Sequence, residues 1–415
     1  MPTIDPVTPL LKLHAFEGFG IELEYMIADR ETLSVRPLAD RLLLDPEGQV
    51  ANEVDQGELA WSNELVQHVL ELKTNGPSPT LAGLGERFHR DVLEINRRLT
   101  GMDACLLPTA MHPLFDPARE TRLWPYGQNE IYEAYDRIFG CRGHGWSNLQ
   151  SMHINLPFFD AEEFRRLHAA IRVVLPLIPA LAASSPIEQG KRAAWLDNRL
   201  RYYRDNQAAI PSISGLVVPE AVPDLAAYHR EILAPMYAAI DRHEPTDLLK
   251  DDWLNSRGAI ARFERQTIEI RVIDLQECPA ADLAIAEAVV ALVQAFYDES
   301  PTDFAQQQAA DTGALARLMW QGAEQGLSAR LDDPALAELY GVAAGVTFGA
   351  AWHELLERTS TMTDPGAVTL EHILRRGNLA GAILRRVGSG MEAASILACY
   401  RELGQCLADN RLFQA

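Results

Sequence analysis

The sequence predicts an α+β fold in which an antiparallel or mixed sheet carries helices on one face. Three observations support this prediction. Residues 1–160 contain short alternating apolar runs separated by Gly and Pro, a pattern typical of strands. Residues 161–250 are apolar at helical spacing, and an Ala-rich helical segment follows Pro279. Between them, residues 261–274 read ARFERQTIEIRVID, a strand pattern that we expect to return to the early sheet.

Composition limits the classes of function. The 415 residues are 47% hydrophobic and 23% charged, which is enough to bury a large core. The net charge of −21 argues against nucleic acid as a partner, because binding a phosphate backbone requires a basic surface. Five scattered cysteines, no signal peptide and no 18-residue apolar run predict a cytoplasmic protein with reduced thiols and no membrane partner. No long linker interrupts the chain, so we expect one catalytic domain over 1–415.

The first candidate segment of a functional site reads GFGIELEYMIAD, from Gly18 to Asp29. In a strand, the apolar side chains share one face, and Glu22 and Glu24 share the other. Two carboxylates about 7 Å apart on one strand repel each other and gain from a nearby cation. The alternative is an ordinary strand face exposed to solvent.

In the second segment, GELAWSNELVQHVLELKTNGP, the side-chain pattern fits the period of a helix and that of a strand. A helix would place Glu64, His68 and Glu71 near one another on one face. A strand from about residue 66 would instead place Glu71 and Lys73 on one face. A surface helix with Glu–Lys pairs is the alternative without a functional role.

The third segment, NLQSMHINLPF, directs His153 and Asn155 to one face of a strand. Imidazole and amide groups on a polar strand face can bind a metal ion, a phosphate or a carboxylate. A buried structural histidine is the alternative.

The fourth segment, QTIEIRVID, predicts an apolar face made of Ile268, Ile270 and Val272. Glu269 and Arg271 would share the opposite face. The alternative is a solvent-exposed cross-strand ion pair, which would contribute about 0–1 kcal/mol to stability.

The four polar faces carry Glu, His, Asn and Arg, and a single sheet would present them together. Several carboxylates with one histidine form an oxygen-rich site that favours Mg²⁺ or Mn²⁺ over zinc. An arginine beside such ions suits a transferring phosphoryl group. The chain contains neither a P-loop nor a dinucleotide fingerprint, so metal ions and arginine would have to hold any nucleotide phosphates.

The blocks GIELEYM, NELVQHVLELKTNGP, SMHINLPF and TIEIRVID resemble, in this order, four blocks of the glutamate–cysteine ligases and related carboxylate–amine ligases. The resemblance covers about residues 16–290. It implies the glutamine-synthetase type of fold, a curved and mostly antiparallel sheet with helices packed on its outer face. It also implies that the second block ends as a strand. The Ala-rich part, about residues 280–415, would pack behind the sheet or form a homodimer contact.

The resemblance implies an ATP-dependent ligase that forms an acyl phosphate on the γ-carboxylate of glutamate and transfers the acyl group to an amine, often that of cysteine. The cofactors would be ATP and Mg²⁺ (or Mn²⁺). The implied metal ligands are Glu22, Glu24, Glu71, His153 and Glu269. Arg271 would stabilise the transferred phosphoryl group, and Glu64 would bind metal or act as a general base. The implied nucleotide contacts are Asn155, His153 and Arg262.

The segment RLRYYRDNQ offers Arg201 and Arg204 for a substrate carboxylate, although such arginines are also common as surface charge. Arg262 and Arg265 precede the last block, where either could reach a phosphate or carboxylate. Two further functions remain open. A metal-dependent hydrolase or phosphotransferase could use the same acidic site, and a non-catalytic accessory protein could keep the fold alone.

Overall fold

The computed structural model describes residues 12–359 and 362–414. In chain order the strands are β1 (Gly20–Asp29), β2 (Glu53–Asp55), β3 (Leu59–Asn63), β4 (Val69–Thr74), β5 (Ala104–Leu107), β6 (Ser151–Pro157), β7 (Ile187–Glu188), β8 (Lys191–Arg192), β9 (Ala259–Arg262), β10 (Thr267–Asp274), β11 (Arg330–Leu331) and β12 (Val346–Thr347). The main sheet has the order β2-β3-β4-β1-β6-β10-β9, and β5 also pairs with β1. Every pairing in this open sheet is antiparallel, which confirms the predicted α+β class.

Helices make up most of the remaining described chain. They are α1 (Leu84–Thr100), α2 (Pro117–Glu120), α3 (Asn129–Phe139), α4 (His144–Ser147), α5 (Ala161–Val174), α6 (Ile178–Ala182), α7 (Asn198–Asp205), α8 (Leu225–Tyr228), α9 (Ala234–Ile240), α10 (Pro279–Tyr297), α11 (Phe304–Ala309), α12 (Thr312–Gln325), α13 (Pro334–Tyr340), α14 (Phe348–Leu356), α15 (Asp364–Arg376), α16 (Leu379–Val387) and α17 (Ala393–Asp409). A π-helical turn, His229–Leu233, joins α8 to α9.

The apolar face of the sheet packs against helices. Ile21, Leu23, Tyr25 and Ile27 alternate along β1 and are fully buried in the main core. Helices α5 and α6 contact β10, α1 contacts β5, and α10 contacts α1, α5 and α6. Among the described residues, α10 is the one helix long and apolar enough to span a membrane, and 78% of its most apolar window is buried inside the fold. The five cysteines are free thiols.

A β-bulge changes the predicted faces of β10. Ile270 pairs with Ile154 of β6, but Ile273, rather than Val272, pairs with Met152. One extra residue therefore lies on β10, and the prediction that Val272 continues the apolar face of Ile268 and Ile270 is wrong. Gly258, just before β9, leaves room for Val272: a Cβ there would lie 2.5 Å from Val272 Cγ1. The bulge occurs at Arg271, so it helps to set the direction of that side chain.

The polar face of β1 is covered by helices at one end. Met26 and Ala28 continue the face that begins with Glu22 and Glu24. Both are fully buried in a second apolar cluster that includes residues of α16 and α17. The expected packing of the late helices behind the sheet therefore fits α10 but not α16 and α17, which close the far end of the polar face.

Candidate active site

Strand pairing brings the four predicted segments together at the centre of the sheet, on neighbouring strands β4, β1, β6 and β10. The paired positions are Glu24 with Glu71, Glu22 with His153, and Glu269 with Asn155. Cross-strand partners point to the same face, so these polar side chains converge. We call Glu22, Glu24, Glu71, His153 and Glu269 the sheet floor; each of the five is at least nine-tenths buried.

The ambiguous second segment is a hairpin rather than a helix. β3 ends at Asn63, and β4 begins at Val69. Glu64 belongs to the connection between them, whereas Glu71 lies in β4. The strand alternative is therefore confirmed. The helix alternative, which would place His68 near Glu64 and Glu71, is wrong. His68 is instead buried, with its Nε2 2.8 Å from the Ser147 carbonyl oxygen.

The sheet floor contains two overlapping sets of possible metal ligands. One set is Glu22, His153 and Glu269, and the other is Glu24, Glu71 and His153. Within each set the ligand atoms lie within 4.8 Å of one another. Carboxylates with a single shared imidazole fit Mg²⁺ or Mn²⁺ better than zinc.

Hydrogen bonds hold the shared histidine in place. His153 Nδ1 lies 2.9 Å from Glu22 Oε2, and His153 Nε2 lies 3.0 Å from Ser151 Oγ. Glu24 Oε2 accepts from the Ser151 N–H at 2.7 Å and from its hydroxyl at 3.1 Å. The imidazole is thereby fixed between two carboxylates in a preorganised arrangement.

The electrostatics of the cluster are unfavourable without added positive charge. Burial alone raises the pKa of Glu22, but its hydrogen bond and charge contact with His153 hold that pKa below the usual range. Burial, with the charge of Glu22, raises the pKa of Glu71 to about 7. Burial and the charges of neighbouring carboxylates raise the pKa of Glu64 well above its usual value. Divalent cations would relieve this repulsion between carboxylates.

Three arginines border the sheet floor. Arg262 Nη1 donates to Glu269 Oε2 at 2.9 Å, and Arg271 Nε lies 2.9 Å from the other oxygen of the same carboxylate. Arg265 Nη1 donates to Glu22 Oε1 at 3.2 Å, and its side chain is 48% exposed. Glu269 thus fixes two guanidinium groups, whereas Arg265 is more accessible.

Two cavities meet at the sheet floor. The larger, about 620 Å³, is lined by Glu24, Glu71, His153 and the three arginines, among other residues. The smaller, about 340 Å³, lies where β1 begins and is lined by the apolar residues Leu13, Phe19, Ala60, Pro77 and Pro157 together with Asn155 and Glu22. Glu53, Lys73 and Arg265 line both cavities. Asn155 Nδ2 also donates to Glu22 Oε1 at 3.2 Å, which connects the smaller cavity to the floor.

The structure does not bring Arg201 and Arg204 to the larger cavity. Arg201 pairs with Glu188 at 3.2 Å, and Arg204 pairs with Asp205 at 2.9 Å. Arg199, from the same helix α7, does line the cavity, and its Nε donates to Asp274 Oδ1 at 2.6 Å. The RLRYYRDNQ pattern did not distinguish these three arginines, because helical burial decides which of them faces inward.

Helices α3 and α4, with the residue that precedes α3, supply another part of the lining of the larger cavity. We call this surface the helical wall; it consists of Gln128, Ile131, Tyr132, Tyr135 and Trp146. Tyr135 packs edge-on against Trp146 at 5.4 Å between ring centroids. Sequence reasoning missed this wall. Tyr132 and Tyr135 are spaced for one helix face, but that spacing is equally typical of ordinary core.

The glutamate–cysteine ligase of Francisella tularensis, solved in complex with AMP, has the same fold. The TM-score is 0.64 at 13% identity, over 96% of this chain and 90% of that chain. The sheet with its acidic, arginine-bordered floor belongs to a known class of enzyme, the ATP-dependent carboxylate–amine ligases, which form C–N bonds. Within that class, the model described as "Glutamate-cysteine ligase family 2(GCS2)" matches residues 18–401, and the chain belongs to this family.

Relatives agree with this assignment. A protein of Archaeoglobus fulgidus, described as "Uncharacterized protein", is 38% identical over 284 residues, which are 68% of this chain and 76% of the relative. The "Putative glutamate--cysteine ligase 2-1" of Streptomyces avermitilis is 25% identical over 397 residues, 92% of this chain and 98% of the relative. The predicted family resemblance is confirmed.

Proposed function

We propose that this ligase uses Mg-ATP to phosphorylate the γ-carboxylate of glutamate and then joins that carbonyl carbon to an amine, giving a γ-glutamyl amide. One observation supports it above all: two carboxylate–histidine ligand sets share His153 on one sheet face, with Arg271 directly beside them. Phosphoryl transfer requires this combination of divalent cations and a fixed guanidinium group.

The nucleotide would occupy the smaller cavity. Its apolar lining suits the adenine base, and Asn155 supplies a polar contact. Lys73 and Arg265 lie at the junction of the two cavities, where the phosphates would pass from one to the other. The nucleotide would therefore enter from the start of β1 and direct its γ-phosphate towards Glu22.

The metal ions would be held by the sheet floor: Glu22 and Glu269 would bind one ion and Glu24 and Glu71 the other, and His153, which has one free lone pair when neutral, would complete one of the two sets. When bound, the ions would neutralise the charge of the triphosphate. Ser151 and Glu22 hold the imidazole in position, and one of these two hydrogen bonds would open when a ring nitrogen binds metal.

Arg271 would stabilise the transferring phosphoryl group, with Arg262 as its neighbour. Both are held by Glu269, so little reorganisation is needed at the moment of reaction. Arg265, being half exposed, is a better candidate for the α-carboxylate of glutamate than Arg201 or Arg204, whose positions lie outside the cavity lining.

The reaction has two steps. A γ-carboxylate oxygen attacks the γ-phosphorus of ATP, and the bond to ADP breaks. The amine nitrogen then attacks the acyl carbon, and phosphate leaves with the original carboxylate oxygen. Glu64 lines the cavity and its raised pKa suits a base that accepts the amine proton.

Isotope transfer tests this mechanism. Glutamate labelled with ¹⁸O in its γ-carboxylate is incubated with the enzyme, Mg-ATP and a panel of amines. We expect one ¹⁸O atom in the inorganic phosphate for each amide formed. Amide formation with unlabelled phosphate would contradict the acyl phosphate. Phosphate release without an amine would instead favour the hydrolase alternative.

We also propose that the enzyme acts in the cytoplasm, as one catalytic domain over residues 1–415, on small-molecule acids and amines, and as a homodimer. Light scattering at several protein concentrations tests the dimer directly. A mass of one chain, 46.0 kDa, at every concentration would contradict it.

A further inference from the structure

One acid of the larger cavity differs from all the others. Glu64 lines the cavity but belongs to neither ligand set. Each acid of the sheet floor lies within 4 Å of a lysine, arginine or histidine side chain. Within residues 12–359 and 362–414, no side chain forms an ion pair or hydrogen bond with the Glu64 carboxylate. Glu64 therefore offers an unused acceptor to a molecule in the cavity.

Near Glu64 the cavity lining includes aromatic side chains as well as the carboxylates of the sheet floor. Asn63, the neighbour of Glu64, donates from Nδ2 to the hydroxyl oxygen of Tyr132 at 2.9 Å, which joins this corner to the helical wall. Ile131 and Tyr135 flank Tyr132 on the same face of α3. Trp253 packs beside Tyr135, with ring centroids 5.9 Å apart. An apolar or aromatic group fits such a surface.

Every lysine and arginine that lines the larger cavity pairs with an acid other than Glu64. The pairs are Lys73 with Glu53 and Glu71, Arg199 with Asp274, Arg262 with Asp252 and Glu269, Arg265 with Glu22, and Arg271 with Glu269. None of these five cations contacts Glu64. A carboxylate bound beside Glu64 would thus lie next to a second carboxyl group, which is ionised when it holds an ammonium group, and no lysine or arginine pairs with Glu64 to offset the repulsion.

We infer that the amine substrate is a primary amine that lacks an α-carboxylate and carries an apolar or aromatic substituent. Its ammonium group binds Glu64, and its substituent packs on the helical wall. In an α-amino acid such as cysteine, the carboxylate lies one carbon from the amine and would be repelled by Glu64. This inference rests on the proposed ligase reaction and adds the identity of the amine class.

Matched pairs of amines test the inference. Phenethylamine is compared with phenylalanine, and cysteamine with cysteine, under Mg-ATP and glutamate, with amide product measured by mass spectrometry. We expect the amine without the carboxylate to have a kcat/KM higher by about tenfold or more in each pair. We also expect phenethylamine to exceed cysteamine.

Glu64→Gln separates recognition from chemistry. The substitution removes the base from the reaction of both amines in a pair. The ratio of the two kcat/KM values therefore reports only how the enzyme recognises the substrate carboxylate. We expect that ratio to fall towards one in Glu64→Gln and to stay unchanged in the control Glu58→Gln, an exposed acid outside both cavities.

The outcomes are distinguishable. Equal or better use of the carboxylated amines overturns the inference and leaves the ligase reaction intact. An unchanged ratio in Glu64→Gln also overturns it. Glutamate-dependent ADP release that no amine stimulates would contradict the proposed function and, with it, this inference.

Discussion

The sheet floor and the helical wall both contribute to the lining of one cavity, but their side chains differ in chemistry. The floor consists of buried charges, nearly all of them paired, and its carboxylates share a single histidine. The wall is largely aromatic and contributes no charge of its own; Glu64 lines the same cavity, and no side chain in the described part of the chain pairs with its carboxylate. A charged, preorganised surface suits phosphoryl transfer, whereas an apolar surface suits selection of a substrate. In the proposed mechanism, the floor carries out the reaction chemistry and the wall selects the amine.

Glu22→Gln should produce the largest effect, because it removes a ligand of one set and the partner of both His153 and Arg265. We expect turnover to fall by about 10³-fold. The amide has the same shape and keeps an acceptor oxygen for Arg265, so Tm should change by no more than about 4 °C. ADP release and thermal unfolding are measured together. A large loss of Tm with normal activity per folded molecule would contradict the placement of Glu22 on the floor.

Arg271→Ala should lower kcat by about 10²-fold, because Glu269 keeps its contact with Arg262 but the phosphoryl group loses one guanidinium. Arg271→Lys retains the charge but not the planar group and should recover only part of the rate. Steady-state kinetics with both variants measure the difference. A change in KM for ATP with kcat preserved would contradict a role in phosphoryl transfer.

His153→Ala should weaken binding of a non-hydrolysable Mg-ATP analogue by about 10- to 100-fold, because the sheet floor loses its one imidazole ligand. Calorimetric titration with and without Mg²⁺ measures this. The metal-free affinity should change little. Equal affinities in variant and wild type would assign His153 a structural role only.

Arg201→Ala and Arg204→Ala should have the smallest effects, less than about twofold on kcat/KM, because both side chains pair with nearby acids outside the cavity lining. Arg199→Ala is the contrast within α7. It leaves the fully buried Asp274 unpaired and should cost about 3–5 kcal/mol in the free energy of unfolding. A tenfold loss of activity in Arg204→Ala would show that the cavity extends to that residue in the working enzyme.

Much of the sheet floor could be predicted from sequence, because strand side chains alternate with period two. That period assigned Glu22 and Glu24 to one face, and Glu269 to another polar face, before any pairing was known. Two features escaped this reasoning. The bulge at Arg271 breaks the period, and residues 57–77 fit helix and strand equally well until the strands are paired.

The helical wall could not be predicted, because it depends on how helices pack against the sheet. Tyr132 and Tyr135 have the spacing of any amphipathic helix. Arg199 differs from Arg201 and Arg204 only in the direction in which its side chain leaves α7. Lys73 was recognisable as a neighbour of Glu71 on one strand face, but its place between two cavities depends on the assembled sheet.

The most direct test of the central claim is ADP release by the wild-type enzyme with Mg-ATP, in the presence and absence of glutamate and of an amine. If the floor activates a carboxylate for attack by an amine, ADP forms fully only when glutamate, amine and Mg²⁺ are all present. ADP release that is independent of glutamate and amine, or that survives removal of divalent cations, would contradict this account.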